Sequence, residues 1–140
     1  MGARGLASAQ EAPETIALDS GAVIALSRND RGMRALLREA RTDGALVIVP
    51  APVLAEVLRG SRRDAAVHRI LKAIDIERPM SASASRLAGK LLGRHQLSAK
   101  HTLDALIVAT AIEHGASTIV TQDEADLTAL APADLAVIPC

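Results

Sequence analysis

Phe, Tyr and Trp are all absent from the 140 residues, and cysteine occurs once, as Cys140. Without aromatic rings no base can stack on this protein, which argues against the RNA-recognition-motif and OB-type modes of nucleic-acid binding. A single cysteine excludes an internal disulfide and a cysteine-based zinc site, and it fits a reducing cytoplasm. An excess of either charge is missing too. Lys plus Arg and Asp plus Glu number 16 each, so no global basic field announces a nucleic acid. No apolar run approaches membrane-spanning length, so no membrane association is expected. The opening segment has Arg4 but no signal-peptide core and reads as a disordered leader, residues 1–14, ahead of one domain over 15–140. Walker loops and G-x-S-x-G elbows are also lacking, which leaves nucleotide binding and serine hydrolysis without support.

What is present is core material. Hydrophobic residues make up 49% of the chain, all of them aliphatic or sulfur-bearing, enough for a single compact domain. Thr15-Ile16-Ala17-Leu18 reads as a strand that enters a small apolar helix, 22 to 26, through the polar turn Asp19-Ser20-Gly21. Residues 31 to 41 are basic and amphipathic, with Met33, Leu36 and Leu37 inward. Leu46-Val47-Ile48-Val49 is apolar throughout, as in a strand covered on both faces, and Pro50 and Pro52 mark its exit into the next helix. Further helices are expected over 64 to 73, from Ser81, Ser83 or Ser85 to about His95, from Ser98 to near Gly115, and over 124 to 130. Strands are expected at 74 to 76, 118 to 120 and 135 to 138. This alternation predicts an α/β fold with a parallel sheet between helical layers.

Cations gather locally. Arg28, Arg31, Arg34, Arg38 and Arg41 form one group; Arg59, Arg62, Arg63 and Arg69 a second; Arg86, Lys90, Arg94 and Lys100 a third. Each suits phosphate contacts, and each equally suits a solvated helix face. His68, His95, His101 and His114 are scattered without metal-ligand spacing and read as surface residues.

The acidic residues carry more information. Asp19 closes an apolar strand, Glu56 lies at the rim of a helix's apolar stripe, and Asp123 directly follows another strand. Asp104 has Ile107 and Val108 three and four positions on, so its carboxylate points along a buried face. Singly, each has an ordinary explanation: helix caps for Asp19 and Asp123, a cap or buried ion pair for Asp104, an Arg59 partner for Glu56. Together they are harder to explain that way. Two such charges about 5 Å apart repel by roughly 3 kcal/mol at an effective dielectric near 20, and a divalent cation removes that cost. In open parallel sheets, ligands sit beyond the carboxyl ends of strands, where Asp19 and Asp123 are placed. An oxygen-ligand site for Mg²⁺ or Mn²⁺ is the expectation.

Four blocks then resemble a known family. Thr15 to Leu26 (TIALDSGAVIAL), Val49 to Val57 (VPAPVLAEV), Asp104 to Ala111 (DALIVATA) and Val120 to Leu127 (VTQDEADL) are similar, in order and spacing, to the signature blocks of PIN-domain ribonucleases, above all the VapC-type toxins of bacterial type II toxin–antitoxin modules. The resemblance implies a PIN-like three-layer α/β/α fold with four to five parallel strands in the order 3-2-1-4-5. It implies an acidic pocket of Asp19, Glu56, Asp104 and Asp123 as catalytic residues. Asp19, Asp104 and Asp123 are the expected metal ligands, with Glu56 and Asp126 as further candidates, Glu56 doubling as general base, and Ser20 and Thr121 as hydroxyls flanking the pocket. The activity implied is Mg²⁺- or Mn²⁺-dependent cleavage of RNA in the cytoplasm by a toxin, held in check by a cognate antitoxin and acting as a homodimer. The rival from another class is a catalytically silent PIN module that binds RNA or protein. A receiver-like or phosphatase-like domain would want an acidic neighbour beside Asp19, and Asp19 has none.

Overall fold

The computed structural model describes residues 13–74 and 76–140. Most of the expected leader lies outside the described residues. Glu14, its last position, is described: its carbonyl accepts from the Leu46 amide at 2.7 Å.

Among the described residues, five strands form one sheet in the order β3-β2-β1-β4-β5. They are β1 (Thr15–Leu18), β2 (Leu46–Pro50), β3 (Ile76–Arg78), β4 (Thr118–Thr121) and β5 (Ala136–Pro139). Every pairing is parallel, with Ala17 opposite Ile48 on one side and Ile119 on the other. Successive strand residues point to opposite faces, so the burial of Ala17, Leu18, Val47, Ile48 and Val49 in unbroken runs means that both faces are covered.

The cover comes from α1 (Ser20–Ser27), α2 (Arg31–Thr42), α3 (Ala51–Val57), α4 (Asp64–Ala73), α5 (Ala82–Arg94), α6 (Thr102–Glu113) and α7 (Glu124–Leu130). In α2, Met33 is buried and Leu36 and Leu37 pack on the core, as the amphipathic pattern requires. Helix α6 is apolar nearly all round, and Ala105, Ile107, Val108, Ala109 and Ala111 are all buried. Among the described residues no helix is long and apolar enough to cross a membrane.

Several elements extend one or two residues beyond an expected end, the first helix covering Ser20–Ser27, and three boundaries differ for a structural reason. The third strand begins at Ile76, not Ile74, because the Ile74 amide still bonds to the Ile70 carbonyl at 3.0 Å and closes α4. The segment after Ser98 opens with a 3₁₀ turn, Ala99–His101, before the α-helix starts. The last strand is shifted by one and ends on Pro139, which an edge strand tolerates because the missing N–H faces no partner.

Candidate metal centre

Strand order reverses between β1 and β4, since β2 and β3 lie on one side of β1 and β5 lies beyond β4. The carboxyl ends of these two central strands therefore border the crevice in which such sheets bind ligands. Asp19 follows β1, and its amide still bonds to the Val120 carbonyl of β4 at 2.9 Å. Thr121 ends β4, and Asp123 stands two residues on.

A pocket of about 230 Å³ at this point is lined by Asp19, Ser20, Gly21, Glu56, Asp104, Gln122 and Asp123. Four chain segments thus deliver the four acidic residues that the sequence singles out. Asp19 comes from the end of β1, Glu56 from α3, Asp104 from the first turn of α6, and Asp123 from the β4–α7 turn.

Asp19 is only 3% exposed and hydrogen-bonded through both carboxylate oxygens. Its Oδ1 accepts from the Ser20 amide at 2.7 Å, the helix-capping role open to it from sequence, while its Oδ2 accepts from the Thr121 hydroxyl at 2.7 Å. The same Thr121 oxygen accepts the Asp123 amide at 2.9 Å. Asp123 takes the N-cap position of α7, yet its side chain makes no capping hydrogen bond. Glu56 does not owe its place to Arg59, whose guanidinium donates instead to the Ala55 carbonyl at 2.8 Å.

The electrostatics are those of a site short of positive charge. Asp104 is pushed up from 3.8 to about 6, first by burial and then by the charges of Asp19, Asp123, Glu56 and Asp126. Asp123 is raised as well, by burial and by Asp126 beside it. Asp19, Asp104 and Asp123 all stand at helix N-termini, where the macrodipole favours a carboxylate by about 0.3–1 kcal/mol each. The upward shift of Asp104 shows that burial and mutual repulsion outweigh that help.

Neighbouring this pocket, and sharing Glu56 with it, runs a groove of about 460 Å³ between α1 and α4. Arg28 from the first basic group and Arg59 and Arg63 from the second line it.

The family model for the PIN domain matches residues 16–131. The chain belongs to the PIN-domain family. No curated protein sequence matches it significantly. The PIN fold seen here is similar to that in solved structures described as VapBC2 from Rickettsia felis bound to a promoter DNA fragment (TM-score 0.71, 18% identity, covering 90% of this chain and 98% of that one) and DNA-bound VapBC from Salmonella typhimurium (TM-score 0.70, 14% identity, 90% and 98%). A toxin–antitoxin complex from Klebsiella pneumoniae gives a TM-score of 0.65 at 19% identity, with 86% and 94% covered.

Sequence reasoning missed two features, one in this PIN pocket and one beside it. Gly21 leaves room for the β4–α7 turn: a Cβ there would stand 2.8 Å from Gln122 Cβ and Cγ and 3.1 Å from the Gln122 amide nitrogen. His101, read as one of several surface histidines, is half-buried and within reach of Asp104 and Asp126. The available signal was its i, i+3 spacing from Asp104, which puts both side chains on one helix face.

Proposed function

We propose that the chain is a metal-dependent endoribonuclease of the toxin class, hydrolysing phosphodiester bonds in cytoplasmic RNA. The observation that carries this reading is the crowding of Asp19, Glu56, Asp104 and Asp123 into one pocket, tight enough to hold the Asp104 carboxyl near 6.

An all-oxygen, multiply anionic donor set fits Mg²⁺ or Mn²⁺. Asp19, Asp104 and Asp123 would hold the ion, with Asp126 a further candidate. A bound cation supplies Lewis-acid stabilisation of charge growing on the phosphate and lowers the pKa of a coordinated water. Thr121 holds the Asp19 carboxylate and the Asp123 backbone together, so one proposed ligand is oriented, and the turn that carries a second is fixed, before any ion arrives. Glu56 enters the pocket from the side of the basic groove and is the group suited to accept a proton from the attacking water. Arg28, Arg59 and Arg63 hold the backbone of a single-stranded or looped RNA leading into the pocket.

Restraint by a cognate antitoxin is part of the proposal, supported by the likeness to chains solved within toxin–antitoxin complexes. An antitoxin tail would reach the pocket with a cation of its own, an arginine by charge complementarity. The toxin would act as a homodimer.

The test is cleavage of end-labelled RNA by the purified chain with Mg²⁺, with Mn²⁺ and with EDTA, repeated for Asp19→Asn and Asp104→Asn. Cleavage that needs the ion and is lost in both variants supports the enzyme. Wild-type protein that binds RNA without cutting it, and variants that bind equally well, would establish a silent binding module instead.

A further inference from the structure

Helix α6 starts without a capping side chain. His101 occupies the N-cap position, yet its ring makes no capping hydrogen bond. One ring nitrogen of His101, a carboxylate oxygen of Asp104 and a carboxylate oxygen of Asp126 instead lie within 4.8 Å of one another, and all three residues are half-buried. Ligand atoms held at about 2.1 Å from a common six-coordinate ion stand about 3 to 4.3 Å apart. The upper bound of 4.8 Å on their separations lies close to that range. Neither His101 nor Asp126 lines the pocket of Asp19, Glu56 and Asp123, so Asp104 is the residue common to both groups.

We propose that His101, Asp104 and Asp126 form a second cation position, sharing Asp104 with the first, and that the imidazole makes it select a divalent transition ion over Mg²⁺. This rests on the preceding reading of the acidic pocket as a metal centre. Its reason is ligand chemistry. An imidazole nitrogen is a borderline donor that Co²⁺, Ni²⁺ and Zn²⁺ accept readily and that Mn²⁺ tolerates, whereas Mg²⁺ retains oxygen ligands and surrenders its waters reluctantly. Asp104 has two oxygens and can face one position with each. A histidine here therefore gives the two positions different preferences, oxygen-only beside Asp19 and mixed nitrogen and oxygen beside Asp126.

The experiment titrates the full chain with Mn²⁺, followed by electron paramagnetic resonance, with the electron spin-echo envelope recorded for coupling to ¹⁴N. Mg²⁺ binding is measured in parallel by calorimetry. The expected result is an imidazole nitrogen coupling in the wild-type spectrum that is absent in His101→Gln, with Mn²⁺ binding at that position weakened about tenfold or more and Mg²⁺ binding changed less than about threefold. His101→Asp should bind Mn²⁺ without nitrogen coupling and gain Mg²⁺ affinity, a change that a merely structural role for the ring would not produce. Circular dichroism checks that each variant is folded. If wild-type protein binds Mn²⁺ in a manner lost in Asp104→Asn, but shows no nitrogen coupling and matches His101→Gln in affinity, the His101 assignment is overturned while the metal centre stands. If neither ion binds and Asp104→Asn behaves as wild type, the metal centre itself is overturned.

Discussion

The Thr121 hydroxyl donates to Asp19 Oδ2 at 2.7 Å and accepts the Asp123 amide at 2.9 Å, so one oxygen ties the end of β1 to the turn that carries Asp123. Thr121→Val keeps the shape and removes both bonds, leaving a carboxylate oxygen on a side chain only 3% exposed without its donor. Such a loss costs about 1–3 kcal/mol. We expect Thr121→Val to unfold at lower denaturant concentration and to bind Mn²⁺ more weakly, and Thr121→Ser to retain both properties. Equal cation affinity in Thr121→Val and wild type would separate Thr121 from the site.

Gly21 makes a second prediction. The nearest atoms to an added Cβ include the Gln122 backbone nitrogen at 3.1 Å as well as the base of its side chain at 2.8 Å, so relief requires the Gln122–Asp123 turn to move. Gly21→Ala should therefore lower RNA cleavage by about tenfold or more while the fold survives, because misplacement by a fraction of an ångström suffices at a site built on geometry. Ordinary cleavage by Gly21→Ala would show that the turn yields freely.

Asp104 links the site to stability. Its folded value near 6 lies above the ordinary 3.8, so the folded chain holds this proton more tightly than the unfolded chain does. The contribution to stability is full below 3.8 and is lost as pH rises through 6, so without a divalent ion the ionised group opposes folding at neutral pH. Asp104→Asn should raise the ion-free stability at pH 7 by about 1–2 kcal/mol, the larger shift being reduced by solvent screening of a half-exposed group. Adding Mn²⁺ should stabilise wild type and leave Asp104→Asn nearly unchanged, and binding by wild type should weaken as pH falls through 6. Thermal melts with and without EDTA at pH 5 and 7 provide the check.

The opposite sign is expected at Asp64. Its carboxylate closes the turn between α3 and α4 by accepting the Arg59 amide at 3.1 and 3.0 Å and the Gly60 amide at 2.7 Å, and Gly60 supplies the left-handed conformation there, with φ +72°. The Arg59 amide bond holds this carboxyl below its ordinary value, outweighing burial, with Gly60 and Ser61 adding to it. Its stabilising effect is present above 3.8 and is lost as pH falls through the lowered value. Asp64→Asn should melt earlier than wild type at pH 7, with the gap closing at acid pH. A gap that stays constant with pH would assign the loss to shape and not to charge.

Local physics made much of this legible from sequence. The runs at 15 to 18, 46 to 49 and 118 to 120 are short, apolar and bounded by breakers, and each lies within an observed strand; the helices at 64 to 73 and 124 to 130 end where expected. Strand order came with the family resemblance, since nothing in a run of Val and Ile specifies its neighbour. What stayed hidden depends on segments far apart in the chain. Gly21 against Gln122 and His101 beside Asp126 exist only once the sheet has assembled, whereas the resemblance already sets Thr121 at the pocket's flank and the structure adds its bridge from Asp19 to the Asp123 amide. The shift of β3 has a local cause: Ile74 suits a strand by propensity, but a final backbone bond to Ile70 holds it as the C-cap of the helix.

The basic groove carries the last prediction. Arg28 leaves the end of α1, while Arg59 and Arg63 flank the turn that Asp64 closes, and the three meet on a groove that reaches Glu56. In a chain whose charges balance overall, this clustering is the local field available to guide a polyanion towards an acidic pocket that would otherwise repel it. Each phosphate contact to a single strand contributes about 0.7 to the slope of log affinity against log salt. Alanine at Arg28, Arg59 or Arg63 should weaken RNA binding at low salt, lower that slope by about 0.7 each, and leave Mn²⁺ affinity intact. Alanine at Arg86, Lys90 and Arg94 on the exposed face of α5 serves as the control and should leave the slope unchanged, because those residues lie outside the groove. A slope insensitive to the first set, or sensitive to the second, would move the RNA path to another face of the domain.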